Sequence, residues 1–133
     1  MTVKVIIDTN FLFIPAQFQV NIFEELMTLL NQHIDLVMLS PTYQELLKIS
    51  KQGSPKLRRH ALLALKLAEK CHVVHIETNS EETNDDLIVR LAKKWNCPVA
   101  TNDRKLRKKL RKEKIPTIFL RQKAFLELEG NIQ

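Results

Sequence analysis

The chain has 133 residues, a formal net charge of +6, two glycines and two cysteines, which is a length suited to one domain of residues 1–133. Two glycines cannot build the glycine-rich loops that bind dinucleotides or ATP, and Cys71 and Cys97 show no spacing typical of a disulfide framework or a zinc site. We find no signal peptide and no apolar run of membrane-spanning length, so we expect a cytoplasmic protein.

The first half of the chain alternates between strand and helix signals. A β-branched run at residues 3–7 predicts a buried strand, and residues 11–20 form an apolar connection that contains Pro15. A 3.6-residue apolar stripe predicts a helix that Asn21 caps. A strand at 36–39 and a helix that Ser40 caps follow, and residues 53–55 end that helix and begin another. The last helix is predicted to be apolar at Leu62, Leu63, Leu65 and Leu67.

The second half continues the same alternation, and no element is assigned after Gln122. In chain order we predict a strand at 73–76, a helix at 83–96, a strand at 98–101, a basic helix at 104–114 and a strand at 117–120. Strands that alternate with helices are typical of a parallel sheet covered by helices. The sequence therefore predicts an α/β fold with a parallel five-stranded sheet.

Two acidic residues stand directly after predicted strands. Asp8 follows the first strand, with Thr9 and Asn10 beside it, and Asp103 follows Thr101 and Asn102 at the end of the fourth strand. The carboxyl ends of parallel strands form the ligand-binding edge of an open sheet. Asp8 could instead begin a turn, and Asp103 could cap the basic helix, where an anion is favoured.

A third acid comes from the helix at 83–96, where Asp85 and Asp86 are adjacent. Asp85 shares the face of Ile88 and Ala92, so we expect it to face inward. Asp86 lies four residues before Arg90 and suits a surface ion pair, and it would occupy the third helical position if Thr83 is the cap. Acids that converge repel one another and favour a hard cation with oxygen ligands, such as Mg²⁺ or Mn²⁺.

In their order and spacing, these motifs resemble the PIN-domain nucleases over residues 3–120. The matching motifs are Asp8-Thr9-Asn10 after a strand, an Asp-x-x-Ile/Leu helix start at Asp85, and an Asp after a strand that ends in Thr, here Asp103. The resemblance also assigns Glu45, which its spacing alone would place among ordinary surface glutamates. Residues 99–120 look like the small-subunit processome endonuclease branch, whose members cleave precursor ribosomal RNA. The VapC toxins share the acidic set.

The resemblance implies a three-layer α/β/α sandwich and a metal-dependent endoribonuclease. Asp8, Glu45, Asp85 and Asp103 would hold one or two Mg²⁺ or Mn²⁺ ions, and Thr9, Asn10 and Thr101 would orient them. Many family members form homodimers, so a homodimer is possible by analogy. An antitoxin or a ribosomal assembly partner cannot be identified from the sequence of one chain.

One segment supplies the whole excess of positive charge. Residues 104–114 carry eight basic residues and one acid, whereas the rest of the chain has 13 basic and 14 acidic residues. Leu106 and Leu110 form the apolar stripe that would dock this segment as a helix. Like charges at this density favour a polyanion, so we predict an RNA-binding surface. Its residues are Arg104, Lys105, Arg107, Lys108, Lys109, Arg111 and Lys112.

Two other functions fit parts of the pattern. A non-catalytic RNA-binding or ribosome assembly factor would use the same basic helix and keep the acids as structural groups. A phosphoaspartyl phosphatase would use Asp8 as its nucleophile, but such enzymes place a second Asp two residues later, where this chain has Asn10.

Overall fold

The computed structural model describes residues 2–77 and 81–132. Their strands are β1 Thr2–Ile7, β2 His33–Leu39, β3 His72–Val74, β4 Val99–Ala100, β5 Thr117–Arg121 and β6 Phe125–Glu129. Their α-helices are α1 Ile14–Phe18, α2 Ile22–Leu30, α3 Ser40–Gln52, α4 Pro55–Ala68, α5 Asn84–Trp95 and α6 Arg104–Lys112. A short 3-10 helix, Thr9–Phe13, follows β1. None of these helices is long and apolar enough to cross a bilayer.

The strands form one sheet in the order β3-β2-β1-β4-β5-β6. The first five run parallel, and β6 runs antiparallel to β5. The chain adds β2 and β3 on one side of β1 and then crosses to add β4 and β5 on the other. The carboxyl ends of β1 and β4 therefore flank a topological switch point, where sheets of this kind open a crevice for ligands.

Helices cover both faces of the sheet, as the alternating side chains of β1 require. Val5 and Ile7 belong to one apolar core with residues of α1 to α4, while Ile6 belongs to a second core with residues of α5 and α6. All three β1 side chains are fully buried. The fold is thus an α/β/α sandwich, as predicted.

The sheet has six strands, so the prediction of five parallel strands is wrong in number. The chain after Gln122 turns back and pairs along the whole of β5. Residues 125–129 read Phe-Leu-Glu-Leu-Glu, and Leu126 is buried while Glu127 and Glu129 bond to arginines. That alternation is the period-2 signal of an antiparallel strand.

Three local predictions also need correction. Residues 11–20, predicted as an apolar connection, contain the end of the 3-10 helix and all of α1. Pro15 does not prevent this, because it stands in the first turn of α1, where a helix tolerates proline. Ser40 does not cap α3, because its hydroxyl accepts a hydrogen bond from Ile76 N (2.9 Å). In α4 the fully buried residues include Ala61 and Ala64, and Leu62 is 59% exposed.

Candidate metal-dependent active site

Asp8 stands immediately after β1, at the switch point between β1 and β4. Its backbone N donates to Ala100 O (3.0 Å), so the sheet pattern extends to this residue. Its Oδ1 accepts from Thr9 N (2.9 Å), which makes Asp8 the cap of the 3-10 helix. Its Oδ2 accepts from Thr101 Oγ1 (2.8 Å), which binds the ends of the two neighbouring strands together. Asp8 therefore has a fixed orientation beside the end of β4.

The polar residues after β1 and β4 form one hydrogen-bonded network. Thr101 is fully buried, and its Oγ1 also accepts from Asp103 N (3.1 Å). Asn10 Oδ1 accepts from Asn102 N (3.1 Å), and Asn102 Oδ1 accepts from Leu120 N (2.8 Å). The ends of β1, β4 and β5 are thus cross-linked by side chains. This network orients Asp8 and Asp103 in the way expected for groups that support a metal ligand.

Glu45 lies on α3, on the opposite side of β1 from Asp103. Its Oε2 accepts from Thr9 Oγ1 (3.5 Å) and from Asn84 Nδ2 (3.3 Å). The side chain is exposed, but these two contacts hold its carboxylate toward the sheet edge. Asn84 was missed by the sequence interpretation, because a contact across 39 residues leaves no local signal.

Asp85 and Asp86 have different surroundings. Thr83 caps α5 by accepting from Asp86 N (3.1 Å), as the sequence predicts. Asp86 is exposed, and its Oδ1 accepts from Lys109 Nζ of α6 (3.1 Å). The predicted pair between Asp86 and Arg90 is wrong, because Arg90 binds Glu82 through two hydrogen bonds. Asp85 is the more buried of the two acids.

Asp103 has the capping role that the sequence offered as one alternative. Its Oδ1 accepts from Lys105 N (2.8 Å) and Leu106 N (3.3 Å), so it is the N-cap of α6. Its other carboxylate oxygen makes none of the hydrogen bonds found among the described residues. Capping uses one oxygen only, so Asp103 can cap α6 and still offer an oxygen to a cation.

The electrostatics of the acids show that they share one region. The pKa of Asp8 is raised to about 6: burial is the largest cause, the hydrogen bonds from Thr101 and Thr9 oppose the rise, and the nearby charges of Asp85 and Glu45 add to it. Burial also raises the pKa of Asp85, and the charge of Asp103 adds to the effect. Glu45 and Asp85 thus raise the pKa of Asp8, and Asp103 raises the pKa of Asp85. These effects link the four acids in a row, in the order Glu45, Asp8, Asp85, Asp103.

These four carboxylates do not form a closed ligand cage. Among residues 2–77 and 81–132, no three His, Cys, Asp or Glu side chains are close enough to hold one metal ion together. Mutual repulsion between carboxylates favours such separation. The donor set is nevertheless all oxygen, with no His or Cys in it, and this chemistry fits Mg²⁺ or Mn²⁺ better than Zn²⁺ or copper.

Helix α6 begins at this acidic edge and carries the predicted RNA-binding cations. Leu106 and Leu110 are fully buried and dock the helix on the sheet, as predicted. The Arg107 guanidinium stacks over the Phe119 ring, with 3.6 Å to the ring centroid. Lys109 binds Asp86, and Arg111 forms two hydrogen bonds to Glu129 of β6 (3.0 and 3.1 Å). Arg104, Lys105, Lys108 and Lys112 are exposed.

Comparison with known proteins matches this arrangement to one family and several relatives. A family model described as a PIN-like domain matches residues 5–123. Ribonuclease VapC4 of Methanocaldococcus jannaschii is 29% identical over 129 residues, covering 97% of this chain and 98% of that protein. Ribonuclease VapC9 of Archaeoglobus fulgidus is 37% identical over 86 residues, which cover 63% of this chain and 59% of that protein.

Two solved structures extend the comparison. The PIN domain endonuclease Utp24 superimposes with a TM-score of 0.77 at 28% identity, covering 98% of this chain and 93% of the other. The VapBC2 complex from Rickettsia felis contains a chain that superimposes with a TM-score of 0.62 at 15% identity, covering 89% of this chain and 99% of that one. The second likeness concerns the fold alone.

Proposed function

Because this chain belongs to the PIN-like domain family, we propose that it is an endoribonuclease that depends on Mg²⁺ or Mn²⁺ and hydrolyses phosphodiester bonds in RNA. The observation that carries the proposal is the row of acids at the switch point, with Asp8 fixed by Thr101 at its centre. Repulsion among these acids would be relieved by a divalent cation. The relatives named ribonucleases and an endonuclease support the same reaction class.

In the proposed site, Asp8, Asp85 and Asp103 would be ligands, and Glu45 would be a ligand directly or through water. Because no three of the described side chains lie close enough to share one ion, the carboxylates would have to draw together around the ion or bind it partly through water. When bound, the ion would lower the pKa of a water molecule and offset the charge of the phosphate. Thr9 and Thr101 keep the carboxylates of Glu45 and Asp8 in place, and Asn10 fixes the chain after β4. The protein's contribution is therefore a preorganised set of oxygens at the end of the sheet.

Cleavage of single-stranded RNA tests the proposal. We expect the wild-type protein to cut RNA with Mn²⁺ or Mg²⁺ and to lose this activity in EDTA. Asp8→Asn should reduce the rate by a factor of about 10³ or more, because it removes a charged ligand while keeping the shape of the side chain. Asp86→Asn is the matched control, since it makes the same change on the adjacent acid that bonds to Lys109, and its rate should stay within about threefold of wild type.

Two results would count against this reaction. The first is the absence of cleavage of any RNA with either ion by a folded protein. The second is an equal loss of activity in the Asp8 and Asp86 variants, which would indicate that the cutting does not depend on the proposed ligands.

The RNA target is proposed on the resemblance of residues 99–120 to the processome endonuclease branch and on the likeness to Utp24 along nearly the whole chain. We propose precursor ribosomal RNA as this target. A toxin-like ribonuclease is the alternative, which the similarity to VapC4 favours. Sequencing of RNA ends in cells that express the wild type or Asp8→Asn distinguishes the two, since processing produces ends in precursor ribosomal RNA.

A non-catalytic RNA-binding or assembly factor remains a second candidate, favoured by the separation of the carboxylates. Such a protein would bind RNA through α6 and leave it intact. It would bind with the same affinity after Asp8→Asn, and divalent ions would not change the length of the bound RNA.

A further inference from the structure

The seven cations predicted to bind RNA fall into two groups on α6. Three of them, the flank cations Arg107, Lys109 and Arg111, contact other parts of the protein. Arg107 stacks on Phe119, Lys109 binds Asp86 of α5, and Arg111 binds Glu129 of β6. These contacts connect α6 to its neighbours on both sides. The flank cations therefore have partners within the protein and less freedom to bind another anion.

The remaining four cations, Arg104, Lys105, Lys108 and Lys112, are exposed. Within residues 2–77 and 81–132, their side chains have no ion pair or hydrogen bond. At 3.6 residues per turn, Arg104, Lys108 and Lys112 point away from the sheet and form one row, opposite the buried Leu106 and Leu110. We call this row the outer stripe, and it is about 12 Å long.

The outer stripe is electrostatically unfavourable for the isolated protein. Arg104 and Lys108 are four residues apart, as are Lys108 and Lys112, and like charges at this spacing destabilise a helix. Arg104 and Lys105 also stand in the first turn, where the helix dipole disfavours positive charge. An anion bound along the stripe would relieve both effects.

The position of the stripe relates it to the acidic site. Helix α6 begins directly after its cap Asp103, so Arg104 and Lys105 are the stripe-side cations that follow this acid most closely in the chain. The charge of Lys109, and to a smaller extent that of Lys105, lowers the pKa of Asp85 and opposes the effect of burial, so the start of α6 lies within electrostatic reach of the site. The stripe thus starts at the acids and leads away from them. A phosphate chain bound along it would reach the acidic edge of the sheet.

We propose that Arg104, Lys108 and Lys112 bind successive phosphates of a single RNA strand, and that Lys105 directs this strand into the acidic site. The inference rests on the proposed endoribonuclease function, and it names the path of the substrate. A single row of cations on one helix face suits one phosphate backbone. It contacts no base, so it confers no sequence preference.

The test is the affinity for a single-stranded RNA of about ten nucleotides, measured by fluorescence anisotropy in EDTA so that no cleavage occurs. The variant Arg104→Gln/Lys108→Gln/Lys112→Gln should bind at least about tenfold more weakly at moderate salt. The slope of log affinity against log salt should become less negative by about 2, because each phosphate contact on a single strand contributes about 0.7. Thermal unfolding should not shift to lower temperature and should rise slightly, since all three side chains are exposed and their mutual repulsion is removed.

Two matched control variants test whether the outer stripe or the total positive charge of the protein binds the RNA. Lys51→Gln/Lys56→Gln/Arg59→Gln removes the same charge from exposed cations of α3 and α4 and should change the affinity by less than about twofold. Lys109→Gln/Arg111→Gln removes two flank cations from α6 itself and should change it by less than about threefold. An equal loss per removed charge in either variant would overturn the stripe, since net charge would then explain the binding.

Cleavage assays separate this inference from the proposed function. If the wild type cuts RNA and the outer-stripe variant has the same KM, the path is wrong and the function stands. If the stripe binds RNA as predicted but no variant or ion produces cleavage, the function is wrong and the binding path stands. If both hold, the outer-stripe variant should show a raised KM on long RNA and an unchanged kcat.

Discussion

At the scale of single residues, Asp8 carries the greatest electrostatic cost in the site. Burial and the neighbouring acids raise its pKa to about 6, so at neutral pH the folded protein holds a charge that its surroundings disfavour. Hydrogen bonds from Thr101 and Thr9 offset only part of this effect. Proteins keep such arrangements where function needs them, at the expense of stability.

Asp8→Asn should therefore stabilise the metal-free protein at pH 7.5. The folded pKa lies above the unfolded value of about 3.9, so the wild-type protein loses stability as the pH rises from about 4 to about 6. A shift of about two units limits the effect to about 3 kcal/mol, and we expect about 1–2 kcal/mol in practice. Denaturant unfolding in EDTA should show this gain at pH 7.5 and little gain at pH 4.

Asp86→Asn is the control, because the pKa of Asp86 is shifted in the opposite direction from that of Asp8. The hydrogen bond from Lys109 lowers the pKa of Asp86, so its charge contributes stability that is lost as the pH falls through the folded pKa. This variant should gain no stability at pH 7.5. A stabilisation equal to that of Asp8→Asn would show that the general excess of charge, and not the burial of Asp8, is responsible.

Thr101→Val should change the pH dependence of RNA cleavage. The Thr101 hydroxyl lowers the pKa of Asp8 through its hydrogen bond, and its removal raises that pKa further. A protonated Asp8 cannot bind a cation, so the acid limb of the pH–rate profile should move to higher pH. The rate at neutral pH should fall by about 10- to 100-fold. Thr101→Ser should restore the profile, and an unshifted limb in Thr101→Val would contradict the role given to Thr101.

At the scale of elements, most strands and helices of the parallel part were predictable because apolar periodicity and polar residues at their ends mark them, whereas the 3-10 helix and α1 were missed. Strand β6 was missed, although Leu126 and Leu128 alternate with two glutamates, because two leucines among charges make a weak signal. The buried face of α4 was misassigned because leucine and alanine are both apolar. Periodicity alone does not show that α4 packs against the core through its alanines.

The small residues of α4 give a direct test of that packing. Ala64 is fully buried and Leu62 is 59% exposed. Ala64→Leu should destabilise the protein by about 1–3 kcal/mol, because extra methylene groups do not fit a packed core. Leu62→Ala should change the free energy of unfolding by no more than about 0.5 kcal/mol. A larger loss in Leu62→Ala than in Ala64→Leu, measured by urea unfolding, would contradict the observed orientation of α4.

At the scale of the whole molecule, the sheet order explains which parts of the site could be predicted. Parallel strands β1 and β4 are neighbours, so the acids that follow them meet at one edge, and the sequence indicated both of them. The inward orientation of Asp85 was predicted from the face that it shares with Ile88 and Ala92 on its helix. The contacts of Glu45 with Thr9 and Asn84 depend on how α3 and α5 approach the sheet, which no local pattern encodes.

The antiparallel strand β6 should be needed for a soluble protein. It pairs with all of β5, buries Leu126 and binds Arg111 of α6 through Glu129. Deletion of the chain after Gln122 would expose the edge of β5, so light scattering should detect aggregation. Glu127→Gln/Glu129→Gln removes only exposed ion pairs and should stay monodisperse, with a loss of no more than about 1 kcal/mol. A monodisperse deletion variant would show that β6 does not protect the sheet.

We propose above all that the acids at the switch point hold a divalent cation. A crystal structure of the protein soaked in Mn²⁺, with anomalous diffraction measured near the manganese edge, tests it most directly. We predict an anomalous peak in contact with the carboxylates of Asp8 and Asp103, and no such peak in crystals of Asp8→Asn. A saturating soak that leaves this edge of the sheet without a peak, or that places manganese only at other acids, would contradict the account.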